Sequence, residues 1–205
     1  MKSTHYHRLI SSTALALVVF ALTAAPKQAD AQDEKKMRNV YRARIVDMSN
    51  RQSGLAGMAD FIVTRWTLPA ERTMLLNTLQ DKGHDAFIKA LRMREETGFL
   101  SPQTTQVSGY GSTRFRYAYQ FDKEDGSKHI VIVTDRTIRE RETSREIGDY
   151  DVTLIMMDFP ANSDTGTGQM YWALRVQWDK KEDKLKLDSA GGSEPLRLTE
   201  IKLVK

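Results

Sequence analysis

Thr134-Asp135-Arg136 closes an apolar run, His129–Thr134, and leads into Arg139, Glu140, Arg141, Glu142, Arg145 and Glu146. Arginine recognises carboxylate or phosphate through two parallel hydrogen bonds, so Asp135 and Arg136 at a strand end could orient an anionic ligand. The plainer reading, which is preferred, is a turn followed by a solvated face of alternating sign. A second arrangement is aromatic. Phe115, Tyr117, Tyr119 and Phe121 alternate with Arg114, Arg116, Ala118 and Gln120, and a later run carries Trp172 and Trp178. Such residues could line an apolar cavity, because small barrels of about eight strands either fill their interior with side chains or hold one small ligand. The candidate ligand-binding residues are therefore Phe115, Tyr117, Tyr119, Trp172, Asp135 and Arg136, with a filled core as the default.

Other familiar chemistry has little to be built from. The chain has no cysteine, which removes disulfides, thiolate nucleophiles and cysteine-based metal sites. His84 and His129 are the histidines outside the N-terminal segment, and neither has the H-x-H or H-E-x-x-H spacing of a metal site; each reads as a capping or surface residue. Asp164-Thr165-Gly166-Thr167 spells the D-T-G-T of aspartic proteases, which need two carboxylates sharing a proton on tight turns. Here the string occurs once, behind Pro160-Ala161-Asn162-Ser163, and reads as part of a solvated Gly-rich loop running to Gly168. A G-x-S-x-G elbow is absent, and Gly109-Tyr110-Gly111-Ser112 precedes a strand, so it offers no helix N-terminus to a phosphate. No catalytic residue, metal ligand or cofactor is assigned, and the reading leans away from an enzyme.

The first 31 residues have the form of a signal peptide. Lys2 and Arg8 give a basic start, Ala14–Leu22 is an unbroken apolar run, and Ala29-Asp30-Ala31 is an A-x-A cleavage site. The run is shorter than the roughly 20 residues of a spanning helix. Cleavage before Gln32 would leave a mature chain that is periplasmic or secreted and not stably inserted in a membrane. The whole chain carries 31 basic and 27 acidic residues. Removing Lys2, Arg8, Lys27 and Asp30 reduces its net charge from +4 to +2. That is no clustered basic footprint for nucleic acid.

Residues 32–38 read as a flexible tail, and 39–205 as one β-rich domain. Tyr41, Ala43 and Ile45 alternate in a first strand, and Met58–Trp66 is a second with two apolar faces. Leu68-Pro69-Ala70-Glu71 starts a helix, with Pro in the first turn and an acid at the positive end of the dipole. Gly83 ends it, and Asp85–Arg94 is a second helix with Phe87, Ala90 and Leu91 on one stripe. Strands follow at 115–121, 129–134, 149–159, 169–178, 184–187 and 196–203, with a hairpin at Asp125-Gly126 and a bulge near Thr199-Glu200. Seven or eight strands with one helical region predict an α+β, mainly antiparallel fold. Its sheet is bent or barrel-like (lipocalin-like in outline), with a helical hairpin at about 69–95 inserted after the second strand.

At Arg65-Trp66-Thr67, Glu71-Arg72, Gly83 and Thr134-Asp135-Arg136 the chain resembles a group of exported proteins of unknown function from soil bacteria. The resemblance covers most of the mature domain and implies export and this order of elements, but no activity. The function expected is an exported module holding a small apolar or amphipathic molecule in a barrel or sheet concavity. The alternative is a surface or sheet-edge protein-interaction module with a filled core, and a hydrolase with an unrecognised site comes third.

Overall fold

The computed structural model of the chain describes residues 38–47, 56–104, 113–136, 151–189 and 194–204. The first 31 residues, read as a signal peptide, nearly all of residues 32–38, the stretch Gly109–Ser112 and the charge run at 139–146 lie outside them. Among the described residues the strands are β1 (Asn39–Val46), β2 (Ala56–Val63), β3 (Gly98–Pro102), β4 (Arg114–Phe115), β5 (Tyr117–Asp122), β6 (Lys128–Thr134), β7 (Val152–Phe159), β8 (Thr165–Asp179), β9 (Lys184–Ser189) and β10 (Leu196–Leu203). Two helices, α1 (Pro69–Lys82) and α2 (His84–Arg92), stand between β2 and β3. None of the helices described is long and apolar enough to cross a membrane.

Every pairing among these strands is antiparallel. The sheet order is β4-β3-β2-β1-β10-β8-β7-β6-β5, with β9 on the distal half of β8. The two ends of that path, β4 and β5, are separated in sequence by Arg116 alone, so the sheet curls into a nearly closed barrel. Backbone bonds draw the seam together. Thr97 N–H donates to Phe115 O at 2.9 Å, Arg116 N–H to Val133 O at 3.1 Å, and Thr67 N–H to Ala118 O at 2.7 Å. The expected α+β architecture, with its helical hairpin after the second strand, is what the chain adopts.

Period-two alternation divides the apolar residues into two layers. The inward set includes Tyr41, Ala43, Ile45, Phe61, Val63, Leu100, Phe115, Ile130, Ile132, Ile155, Met157 and Met170, with Trp66 and Trp172 against it. These side chains fill the barrel. The outward set on β5–β9 is apolar as well, with Tyr117, Val133, Val152, Leu154, Met156, Leu174, Val176 and Leu185, and is covered by Leu75 and Leu79 of α1 and Phe87, Ile88 and Leu91 of α2. The outward face of β6 and β7 is apolar because the hairpin sits on it.

Several sequence expectations hold at residue level. Asp125-Gly126 turns the β5–β6 hairpin with Gly126 at φ 81°, and Gly83, at φ 78°, separates the helices while its N–H donates to Leu79 O at 3.0 Å. The bulge is found where the parity breaks. Register shifts between Leu198 and Ile201, and Glu200 sits at φ 53°. Two expectations need correction. Strands resume before residue 115, because Gly98–Pro102 forms β3 beside β2. The Gly-rich loop ends at Asp164, because β8 begins at Thr165 and takes Gly166 and Gly168 into its pairing with β10 and β7. A Cβ on Gly166 would lie 2.7 Å from Asp158 O, and one on Gly168 2.2 Å from Met156 O. Both glycines serve close strand approach, not a loop.

Candidate functional site

Where α1 and α2 cross the outside of the barrel, the two layers leave an apolar pocket of about 80 Å³. Leu75 and Leu79 roof it, Phe87 closes one side, and Val131, Leu154 and Met156 form the floor. Arg72, Tyr117 and His129 border this lining too, but the surface presented to the pocket is almost entirely apolar.

Arg72 is buried on α1. Its guanidinium lies 5.3 Å from the ring centroids of both Tyr119 and Phe121, a cation–π arrangement that offsets part of the cost of burying a charge. It also hydrogen-bonds the Tyr117 hydroxyl. Burial pushes the ionisation of Tyr117 well above the ordinary tyrosine value, against the pull of the Arg72 charge.

His129 sits on β6 directly opposite Asp158 of β7. It is 3% exposed, and its Nδ1 lies 2.6 Å from Asp158 Oδ1. An ionised carboxylate only accepts, so Nδ1 carries the proton of this bond. In the neutral ring Nε2 is then an acceptor, and it is buried with no hydrogen-bond partner. Buried polar atoms are nearly always paired, which makes this one an observation in need of a reason. The ring also lies 6.1 Å from Phe121, so Arg72 and His129 gather around one aromatic ring at one end of the pocket.

His84 is different. Val176 N–H donates to its Nδ1 at 3.2 Å, which leaves the proton on Nε2 for Asp151 Oδ1 at 3.0 Å. Both nitrogens are satisfied, and the residue ties α2 to β8. The expectation that both histidines are capping or surface residues is corrected: His84 and His129 are each buried, held between a carboxylate and the packed outer layer.

The aromatic alternation does not line one surface. Phe115 and Trp172 pack with the barrel interior, whereas Tyr117 and Tyr119 belong to the layer under the helices. The break at Arg116 separates β4 from β5 and flips the facing of the residues beyond it. In β8 the register with β7 shifts between Val152 and Leu154, so Met170 faces inward and Leu174 and Val176 outward.

Asp135 and Arg136 lie at the end of β6, away from the pocket lining. Asp135 is buried, with guanidinium nitrogens of Arg92, Arg116 and Arg136 at 3.9, 4.0 and 3.8 Å. Arg92 further donates to Asp151 Oδ2 at 3.1 Å. Asp135 is thus the internal counter-ion of arginines brought from α2, the barrel seam and its own turn. Asp164 of the D-T-G-T string is exposed at the β7–β8 turn.

Sequence reasoning missed Arg72 and the His129–Asp158 pair as a set. They come from α1, β6 and β7, and what unites them is a cross-strand register that no local spacing encodes. No protein-family model, curated protein or solved structure matches the chain.

Proposed function

We propose that the protein is an exported small-ligand-binding module whose apolar or amphipathic ligand sits outside the barrel, beneath the helical hairpin. The observation that carries this reading is the apolar pocket between hairpin and sheet. The barrel interior is occupied by its own side chains, which moves the site from the concavity to the layer interface. A volume of about 80 Å³ is well below the roughly 300–1,000 Å³ of drug-sized sites. It suits a chain of a few carbons, or a longer one if the hairpin shifts outward. The filled interior also favours a second reading, a module that acts through its surface or sheet edge.

Two measurements separate these readings. Native mass spectrometry of protein purified from its own host should show a retained small molecule. Titration with an apolar fluorescent dye should show saturable binding that Val131→Phe, which fills the pocket floor, weakens at least tenfold. A protein that carries no small molecule, and whose dye binding ignores Val131→Phe, would be a surface module instead.

A further inference from the structure

We infer that α2 is an acid-sensitive lid, closed over the outer layer of the barrel while His84 is neutral and released when that ring takes up a second proton. His84 is the first residue of α2 and is 5% exposed. It follows Gly83, the joint between the two helices at φ 78°. Its Nδ1 accepts from Val176 N–H of β8 at 3.2 Å, and its Nε2 donates to Asp151 Oδ1 at 3.0 Å. From the last residue of the helix, Arg92 donates to Asp151 Oδ2 at 3.1 Å. One carboxylate therefore clamps both ends of α2. Between those ends Phe87, Ile88 and Leu91 join the apolar cluster that holds Val152, Leu174 and Val176.

Only the neutral ring fits this arrangement. An imidazolium donates from both nitrogens, so a proton on Nδ1 would meet Val176 N–H donor to donor and leave that buried N–H without an acceptor. Asp151 offers limited return, because Arg92 already shares its charge. Asp135 is likewise surrounded by Arg92, Arg116 and Arg136. The other charges nearby are turned away. Asp81, Lys82, Asp85 and Lys89 of the hairpin are exposed, and Arg175 and Lys186 alternate with Val176 and Leu187 to the opposite face of the β8–β9 ribbon. With α2 lifted, the ring reaches water and carries its charge without this conflict. Protons thus bind the open form better than the closed one, and acid draws the equilibrium towards opening. Imidazoles change charge between about pH 5 and 8, so the lid answers to mild acid in which ordinary carboxylates stay ionised. That the lid also sets access to the pocket rests on the pocket reading above, whereas the lid itself does not.

The test is amide hydrogen exchange on the full chain at pH 7.5 and 5.5, with each rate taken relative to the intrinsic rate at that pH. The amides of Phe87–Arg92 should lose protection about tenfold in acid, while those of β1 and β10 change by less than about twofold. His84→Gln keeps one acceptor and one donor but never ionises, and it should remove the acid response. Nitrogen NMR of the wild-type ring is a readout that needs no variant. At pH 7.5 His84 should carry its proton on Nε2, and its conversion to imidazolium should share a midpoint with the loss of protection in α2. Equal protection of α2 at both pH values, or a parallel loss in β1 and β10, would overturn the lid. So would an acid response that survives His84→Gln, which would assign it to His129. An α2 that opens in acid in a protein that binds no apolar dye at either pH would support the lid and overturn the pocket reading.

Discussion

Glu71 shows how one side chain can serve the chain entry and the helix together. It stands in the first turn of α1, where it accepts from Leu68 N–H at 3.0 Å and from Arg65 Nη1 at 2.8 Å. Burial pushes its carboxyl up, but the Arg65 hydrogen bond, the backbone bond from Leu68 and the charges of Arg65 and Arg94 outweigh it and hold the group below the usual carboxylate range. A carboxyl whose folded value lies below its unfolded value adds stability above the unfolded value, about 4.3 for glutamate. That stability is lost as pH falls through the folded value. Glu71→Gln keeps an oxygen for Leu68 but removes the charge facing Arg65. It should cost about 1 kcal/mol at pH 7 and progressively less as pH falls through the folded value, so urea midpoints of variant and wild type should draw together in acid. A gap that persists unchanged at pH 3 would mean that shape, not charge, is what Glu71 contributes.

At the scale of elements, legibility tracked how local each determinant is. The helical hairpin was readable because Pro69, Glu71 and Gly83 act within a turn of themselves. Interior strands β1, β2, β6 and β7 were readable from apolar alternation or continuous apolar runs. Facing was not readable where parity breaks, since the single residue Arg116 and the register slip in β8 each move part of an aromatic run to the other side of the sheet. The polar pair beside the pocket was hidden for the same reason: His129 and Asp158 are 29 residues apart and meet only through register. Gly168 shows the opposite error, a local cue taken as a loop when its cause is a neighbouring strand. Its Cβ position lies 2.2 Å from Met156 O on β7 and 3.2 Å from Ile201 Cδ1 on β10. Gly168→Ala must therefore push strands apart where all three meet, and should cost about 1–3 kcal/mol in chemical denaturation. Gly126→Ala offers a contrast. Its new methyl would find only Ala161 Cβ at 3.7 Å, so its cost should be limited to that of a positive φ, about 1 kcal/mol. If the two variants are equally stable, close packing is not why β8 carries glycine there.

For the whole molecule, the decisive feature is that the same sheet supports two apolar layers, and both depend on the ring being drawn shut. The interior cluster runs from β1 round to β8, and the outer cluster uses β5–β9 as its floor. If β5 drifted from the start of α1, the inner layer would open and the pocket floor would lose its edge. Thr67 holds that join from both directions. Its N–H donates to Ala118 O at 2.7 Å, and its Oγ1 accepts from Ala118 N–H at 3.0 Å. Both residues are buried. Replacing the hydroxyl by a methyl keeps the shape and leaves a buried N–H unpaired, which costs about 1–3 kcal/mol. Thr67→Val should therefore lower the denaturation midpoint by that amount. More specifically, it should speed amide hydrogen exchange at Tyr117–Ala118 and weaken dye binding in the pocket, while exchange in β1 and β10, on the far side of the ring, stays at the rate set by the loss of global stability. Uniform acceleration across all strands would show that the seam opens only with the entire barrel, and that ring and pocket unfold as one cooperative unit.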